Sequence, residues 1–227
     1  MPTCIHLPPP QFPLMGVNLD STNAFVIDLS NDNPGLSDVD YVDCDDFGRY
    51  IQTLMDKEAR YFALGGYLEN RVIYTRSEVF AARPNEYRNI HLGVDIWAKA
   101  GRPVYCPLEG TVHSFQDNQG FGNYGPTLIL EHQLWGEKLY SLYGHLSRAD
   151  LASVDLGQVL RAGDCLGHLG APVENGNWPP HLHFQLIKNL EENWGDYPGV
   201  CREEDLLHFQ ANCPNPNLWI NTPLLSG

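Results

Sequence analysis

Apolar and polar residues alternate along short segments in the middle of the chain, between about residues 90 and 190. The segments with this pattern are Val104 to Cys106, Gly110 to Phe115, Thr127 to Glu131, Leu139 to Tyr143, Gln158 to Leu160, Cys165 to Leu169 and His181 to Ile187. Glycine-containing turns separate them, and short alternating segments at regular spacing are typical of antiparallel β-structure. The pattern therefore predicts a mainly β (α+β) fold, built on a folded antiparallel β-sheet or a β-sandwich.

The first 87 residues follow a different pattern. From Asp46 onward, apolar residues recur every three or four positions behind an aspartate that can cap a helix, which predicts one helix over about residues 46–62. Shorter apolar runs predict strands at Ala24 to Leu29 and at Arg71 to Tyr74. We therefore expect an N-terminal extension over residues 1–87, a main domain over residues 88–190, and a C-terminal tail over residues 191–227 that packs on the domain.

The chain is strongly acidic. Its 28 Asp and Glu residues against 14 Lys and Arg residues give a formal net charge of −14 at pH 7. Such a charge repels nucleic acid and anionic lipid, so we expect neither as a partner. No stretch contains the roughly 18 apolar residues of a membrane helix, and residues 1–16 lack the positive segment of a secretory signal. These features predict a cytoplasmic protein, with the bacterial envelope as the alternative location.

Seven of the nine histidines fall between His91 and His183. In the segment Ile90 to Ile96, read as one strand, His91, Gly93 and Asp95 share a face, and the apolar residues share the other. Imidazole nitrogen and carboxylate oxygen both bind zinc, and a glycine between them leaves room for a bound group. This spacing therefore favours a metal site over ordinary core residues.

A second histidine pair follows the same logic. His181, His183 and Gln185 alternate with Leu182, Phe184 and Leu186, so two imidazoles lie on one face of a predicted strand. One of them can bind a metal while the other reaches a water molecule on it. His145 follows Gly144 at the end of another predicted strand, where it can point into a cleft. We interpret His113, His132 and His168 as ordinary structural residues, because no ligand-type residue stands at matching spacing.

The order of these motifs resembles that of the lysostaphin-type (LytM-like) zinc metallopeptidases. The motifs are His91-x-x-x-Asp95, then Tyr143-Gly144-His145-Leu146, then His181-Leu182-His183-Phe184. Connecting segments agree with the family over about residues 88–188, among them Ala100-Gly101-Arg102-Pro103-Val104-Tyr105 and Ala162-Gly163-Asp164. The resemblance implies a sheet of the duplicated hybrid motif type, which carries one zinc ion held by His91, Asp95 and His183, with water as the fourth ligand. It also implies that His145 and His181 flank this water as catalytic residues.

Other segments resemble a narrower subgroup of that family. They are Leu68-Glu69-Asn70-Arg71, Asn175-Gly176-Asn177-Trp178-Pro179-Pro180 and Asp196-Tyr197-Pro198-Gly199. In that subgroup the domain is fused to phosphotransferase and class-III aminotransferase domains in cytoplasmic proteins. The family usually has Gly-Pro before the His-x-His motif and a glutamate after its phenylalanine, where this chain has Pro179-Pro180 and Gln185.

The resemblance implies a zinc-dependent metalloendopeptidase that hydrolyses a peptide bond, by default in peptidoglycan or its fragments, with histidine as the acid and base. Two alternatives stay open at this point. One is an intracellular zinc amide hydrolase that acts on a small peptide or conjugate. The other is a non-catalytic, zinc-containing binding domain. The N-terminal arm is also a candidate plug for the cleft, through His6 or Asn18.

Overall fold

The computed structural model describes residues 7–83 and 86–225. The strands are β1 (Ala24–Ile27), β2 (Phe62–Gly65), β3 (Ala81–Arg83), β4 (Glu86–Tyr87), β5 (Ile90–His91), β6 (Val94–Trp97), β7 (Pro103–Tyr105), β8 (Gly110–Asn118), β9 (Gly125–Leu134), β10 (Glu137–Gly144), β11 (Val159–Leu160), β12 (Cys165–His168), β13 (His181–Ile187) and β14 (Val200–Cys201). The α-helices are α1 (Cys44–Glu58), α2 (Arg148–Leu151), α3 (Leu206–Asn212) and α4 (Asn217–Ile220).

Eight of these strands form one large sheet. Their order is β1-β2-β6-β13-β10-β9-β8-β11. Strands β1 and β2 pair in parallel, and every other neighbouring pair of the sheet is antiparallel. Three smaller two-stranded sheets pair β12 with β7, β14 with β5, and β3 with β4. The structure thus confirms the predicted mainly β fold with a large antiparallel sheet.

Apolar side chains cover both faces of the large sheet. Leu182, Phe184 and Leu186 of β13 belong to the largest hydrophobic core, which occupies one face. Because side chains alternate along a strand, His181 and His183 lie on the opposite face. All seven residues of β13 are buried, so these histidines are enclosed by protein on their own face as well.

The N-terminal residues take part in the large sheet. Strand β2 pairs with β6 on one side and with β1 on the other, and Gly65 stands opposite Asp95 in the register. Helix α1 buries Phe47 and Ile51 in a second core that also contains Trp97 of β6. The strands beside the predicted metal ligands are therefore supported from the N-terminal side of the chain.

The structure corrects three local predictions. The helix predicted over residues 46–62 exists, but it begins at Cys44 behind the capping residue Asp43 and ends before Ala59, whose φ of 52° is left-handed. The strand predicted at residues 71–74 is wrong, because Val72–Arg76 forms a 3-10 helix.

The single strand predicted over Ile90 to Ile96 is divided into β5 and β6. Strand β5 pairs with β14, whereas β6 pairs with β2 and β13. Gly93 lies in the gap, where a Cβ atom would come within 2.6 Å of the His183 ring and 2.8 Å of the Phe184 carbonyl oxygen. The space that this glycine leaves is filled by β13.

None of the helices in the described part of the chain is long and apolar enough to cross a membrane.

Candidate metal centre

Three strands bring His91, Asp95 and His183 to one point in the molecule. His91 is the last residue of β5, Asp95 lies in β6, and His183 stands opposite Asp95 in the pairing of β6 with β13. All three side chains are buried. Within the described residues, these are the side chains whose donor atoms lie close enough together to share a metal ion.

One donor atom of each residue faces the same space. His91 Nε2 lies 3.0 Å from His183 Nδ1 and 3.3 Å from Asp95 Oδ1, and His183 Nδ1 lies 3.2 Å from that oxygen. In a tetrahedral zinc site with bonds of about 2.0–2.1 Å, neighbouring donor atoms are about 3.3 Å apart. The three atoms therefore already stand close to the spacing that one zinc ion requires.

Hydrogen bonds on the far side of each imidazole direct its lone pair toward this space. His91 Nδ1 lies 2.9 Å from the carbonyl oxygen of Gly66, which can only accept a proton. His183 Nε2 lies 2.9 Å from Oε1 of Gln185, whose amide nitrogen donates to the carbonyl of Pro198. In the neutral rings, His91 Nε2 and His183 Nδ1 therefore carry no proton. Lone pairs that face one another repel, and a cation bound between them removes the repulsion.

Two further imidazoles lie beside the three ligand-type residues. His181 is the first residue of β13 and stacks on Trp97, with ring centroids 4.0 Å apart. His145 directly follows β10 and has a left-handed φ of 64°, which non-glycine residues adopt mainly at turns and functional sites. Its ring centroid lies 4.2 Å from that of His181. The structure thus brings all five predicted site residues together.

Burial keeps these two imidazoles neutral. His145 Nδ1 lies 2.9 Å from the carbonyl oxygen of Asn175, and His181 Nδ1 lies 2.8 Å from that of Pro179. Burial lowers the pKa of His181 to about 4. Burial also lowers the pKa of His145 well below its usual range, and the neighbouring His181 adds to this effect. The Nε2 atoms of both neutral rings are therefore free to accept a proton.

The charges around the centre favour the metal-binding forms of its side chains. Burial, together with the positive charge of Arg71, lowers the pKa of His91 to about 4, although Asp95 opposes this shift. Burial alone would raise the pKa of Asp95, but His91 and Arg71 reverse this and hold it well below its usual range. At neutral pH the centre therefore presents His91 as a neutral imidazole and Asp95 as a carboxylate, as zinc binding requires.

Sequence reasoning missed the residues that hold the ligands in place. The fully buried Arg71 donates from Nη1 to Oδ2 of Asp95 at 2.5 Å. The hydroxyl of Tyr124 lies 3.3 Å from His183 Nε2, beside the contact with Gln185. An arginine in a predicted strand gives no sign of which carboxylate it will meet. Only the fold reveals these contacts.

A cavity of about 220 Å³ borders the centre. Its wall includes Asp95, His145, His181 and His183, together with the aromatic side chains of Tyr74, Phe80, Trp97, Tyr124 and Trp178. Two charged residues of opposite sign, Arg88 and Asp196, also line it. The predicted catalytic histidines and two of the three ligand-type residues thus face a space that can hold a small group.

The N-terminal arm follows a different course from the one we considered. Pro8 accepts a hydrogen bond from the Trp219 indole, and Gln11 donates from its backbone to Pro107. Asn18 is absent from the cavity wall, and its carbonyl accepts from Asn23 on the surface. The idea that Asn18 reaches the metal is therefore wrong, and His6 lies outside the described residues.

The other described histidines lie apart from the centre. His132 is buried on the opposite face of the sheet, next to Trp219. His113 is near Tyr140 and Trp194, His168 contacts Asp150, and His208 is on the surface near Glu191.

Comparison with known proteins gives a match over the same part of the chain. Residues 89–193 match the model of peptidase family M23. The L-Ala–D-Glu endopeptidase of Bacillus subtilis (strain 168) is 29% identical over 119 residues, which are 49% of this chain and 34% of that protein. The chain therefore spans about a third of the length of this curated relative.

Solved structures with related sequences include two peptidases. A zinc-containing peptidase from Vibrio cholerae is 27% identical, with a TM-score of 0.35, over 47% of this chain and 30% of that one. The catalytic domain of lysostaphin from Staphylococcus simulans is 22% identical, with a TM-score of 0.36, over 54% of this chain and 80% of that one. The likeness to a subgroup fused to phosphotransferase and aminotransferase domains stays a prediction.

Proposed function

Because residues 89–193 form a domain of peptidase family M23, we propose that the protein is a zinc-dependent metalloendopeptidase that hydrolyses a peptide bond in peptidoglycan or its fragments. The observation that carries the proposal is the convergence of His91 Nε2, Asp95 Oδ1 and His183 Nδ1 beside a cavity. Two more imidazoles, those of His145 and His181, line the same cavity. Structural zinc sites use four protein ligands, whereas catalytic sites use three and leave a position open.

His91, Asp95 and His183 would hold one zinc ion. Bound there, zinc supplies a Lewis acid that polarises the scissile carbonyl and makes a water molecule nucleophilic near neutral pH. The contacts of His91 with Gly66 and of His183 with Gln185 fix the tautomers of both imidazoles before a metal ion binds. The burial of the centre keeps bulk water away from the reacting groups.

His145 and His181 would handle the proton. Asp95, the carboxylate beside the ligand-type histidines, would itself bind the zinc ion, so we assign the base to one of these two imidazoles. The Nε2 atom of either neutral ring can take a proton from the attacking water and later give it to the leaving amine. The ring that has gained a proton can also donate a hydrogen bond to the developing oxyanion. The stack on Trp97 holds the His181 ring in one orientation.

The family and the Bacillus relative support a cell-wall peptide as the substrate. That relative is named for the bond between L-Ala and D-Glu, which joins an L-residue to a D-residue. The test is mass spectrometry of peptidoglycan fragments incubated with zinc-loaded protein, with the His183→Ala variant as the blank. We expect a new amine-terminated peptide with the wild-type protein and none with the variant.

The cavity supports a second candidate, a hydrolase of short peptides or amino-acid conjugates. Its volume of about 220 Å³ is below the roughly 300–1,000 Å³ of ordinary ligand pockets, which suits a short substrate. Arg88 and Asp196 line it, and this pair suits a substrate end that carries both a carboxylate and an ammonium group. Because burial raises the pKa of Asp196, an ammonium partner would relieve a real desolvation cost.

Two sets of substrates separate these candidates. Short peptides with free ends, compared with the same peptides acetylated and amidated, measure whether charged termini matter. A hydrolase of short peptides should prefer the free ends and lose that preference in Asp196→Asn. An enzyme for wall fragments should cleave both sets alike. Absence of any cleavage by folded, zinc-loaded protein would favour the non-catalytic binding domain.

A further inference from the structure

We propose that Arg71 is a positioning residue of the metal centre. It holds the Asp95 carboxylate so that only the Oδ1 atom faces the two histidines. Arg71 lies outside residues 89–193, the part of the chain that matches the peptidase family. The inference rests on the proposed zinc site, and it extends that site into the N-terminal part of the chain. It concerns metal binding, so it can be tested apart from catalysis.

The guanidinium of Arg71 is completely buried and is held by several partners at once. Its Nη1 donates to Asp95 Oδ2 at 2.5 Å and lies 3.1 Å from the hydroxyl of Tyr74. Its Nε donates to Glu69 Oε2 at 2.6 Å. Its Nη2 lies 3.4 Å from the carbonyl oxygen of Gly66. The planar group therefore cannot rotate without breaking several of these contacts, which an ammonium group could not reproduce together.

This arrangement divides the two oxygens of the Asp95 carboxylate. Oδ2 is engaged by Arg71, while Oδ1 lies within 3.3 Å of donor atoms on both His91 and His183. A carboxylate held in this way offers one oxygen to a metal ion, which suits a four-coordinate site better than a site of high coordination number. Without the guanidinium, Oδ2 would be a buried charge with no partner, and the carboxylate could turn.

Glu69 connects Arg71 to the rest of the N-terminal region. Its Oε2 accepts from Arg71, and its Oε1 accepts from the backbone of Leu29 at 2.9 Å. The backbone nitrogen of Gly66 also lies 3.3 Å from Oε2, and the carbonyl of Gly66 contacts His91. The same short segment thus orients two of the three ligand-type residues, one through Arg71 and one through a backbone carbonyl.

The backbone of β2 leaves space for the guanidinium at one position. Gly65 stands opposite Asp95 in the register, and a Cβ atom built on it would lie 2.4 Å from Arg71 Nη2. The same atom would lie 3.5 Å from the Asp95 Cβ, which is an ordinary contact. An alanine at this position would therefore displace Arg71 while it leaves the ligand residues themselves unchanged.

The test is a zinc competition titration against a chelator, for the wild-type protein, Arg71→Met and Arg71→Lys. Loss of a group that orients a metal ligand typically lowers metal affinity by 10- to 100-fold, and we expect about this loss for Arg71→Met. Arg71→Lys keeps the positive charge but not the planar guanidinium, so it should retain part of the zinc affinity that Arg71→Met loses. The matched control is Arg102→Met, since Arg102 is partly buried against Phe62 and does not contact the centre. It should bind zinc as tightly as the wild type.

Gly65→Ala tests the same idea if Arg71→Met does not fold. We expect its zinc affinity to fall by about tenfold, while Gly48→Ala, whose added methyl meets nothing closer than 3.9 Å, leaves the affinity unchanged. The rise in melting temperature on zinc addition provides a second readout, and it should be smaller in the variants with lower zinc affinity. A purely structural role for Arg71 would lower the stability of the metal-free protein and leave the zinc affinity alone.

Folded Arg71→Lys and Gly65→Ala proteins that bind zinc as tightly as the wild type would overturn the inference, as would a wild-type protein that binds no zinc. The proposed function fails through a different result, a zinc-loaded wild-type protein that cleaves no peptide. Unchanged zinc affinity in the two variants would overturn the inference alone, absence of cleavage by the zinc-loaded wild type would overturn the function alone, and a wild type that binds no zinc would overturn both.

Discussion

Two groups of buried polar residues lie on opposite faces of the same sheet, and both contain histidine. On one face, His132 Nδ1 lies 2.8 Å from the carbonyl oxygen of Glu109, and its Nε2 lies 2.7 Å from the hydroxyl of Ser141. That hydroxyl lies 3.0 Å from the hydroxyl of Tyr143. On the other face, the three residues of the metal centre direct donor atoms at one another.

The difference shows that burial alone does not distinguish a histidine placed to bind a metal from a structural one. His132 is as inaccessible as His91, and burial lowers the pKa of both to about 4. Both ring nitrogens of His132 have ordinary hydrogen-bonding partners, so this side chain needs no further partner. One nitrogen of His91 has such a partner, whereas the other faces a histidine lone pair and a carboxylate. A set of acceptors that face one another is the feature that requires a cation.

The largest effect should come from removing a ligand. His183→Ala should abolish tight zinc binding, because only two of the three donors remain in a site that has little else to offer a cation. His132→Gln, in the other group, should keep a stoichiometry of about one zinc per chain. Metal analysis after dialysis against a weak chelator measures both. If His132→Gln lost zinc as His183→Ala does, the distinction between the two groups would be wrong.

The next effect concerns a residue of the centre that is not a ligand. His145→Ala should retain zinc but lose turnover by about 10²–10⁴-fold, if the imidazole moves the proton during hydrolysis. Turnover on the best substrate and the zinc content of the same sample are measured together. A variant with normal zinc and normal turnover would remove His145 from the mechanism and leave His181 as the base.

A third prediction concerns the pH dependence of stability that His132 creates. Burial lowers its pKa from the usual 6.5 to about 4. Between these values the unfolded chain binds a proton that the folded chain excludes, so stability is lost as the pH falls. The contribution of His132 should decrease by about 2 kcal/mol from pH 7 to pH 5.

Urea unfolding of the wild type and His132→Gln at both pH values measures this contribution. The free energy of unfolding of the wild type minus that of the variant should be about 2 kcal/mol smaller at pH 5 than at pH 7. A difference that does not change with pH would mean that folding does not shift the pKa of His132.

The smallest effects should come from the partners of the histidines. Ser141→Ala removes a partner of His132 and should lower the free energy of unfolding by about 1–2 kcal/mol, with no change in zinc affinity. Gln185→Met removes the partner of His183 and should also lower zinc affinity by about tenfold. Unfolding curves and zinc titrations of both variants give the comparison. Equal zinc affinities in the two variants would show that Gln185 does not orient its histidine.

The sequence predicted the fold class and which residues come together at the candidate metal centre, because both depend on local patterns. Alternation along His181 to Ile187 identifies the face that carries the two histidines, and the structure has a strand over the same residues. The spacing of His91 and Asp95 suggested a shared face on one strand. They do come together, but across a break at Gly93 that lets β13 approach.

The surroundings of the centre could not be predicted, because they depend on residues far apart in the chain. Arg71 reaches Asp95 across 24 positions, and its segment forms a 3-10 helix where apolar residues suggested a strand. Gln185 differs from the residue usual in the family, yet the structure gives it a contact with His183. Neither contact follows from hydrophobic periodicity, since each is made by a polar side chain inside the core.

The position of β2 between β1 and β6 has a practical consequence for anyone who produces this protein in pieces. A recombinant fragment cut at residue 89, where the family match begins, would leave β6 as an edge strand with unpaired backbone groups. Exposed edges of this kind pair with other copies, and the fragment would self-associate. The N-terminal segment should therefore be cloned or transplanted together with residues 89–193.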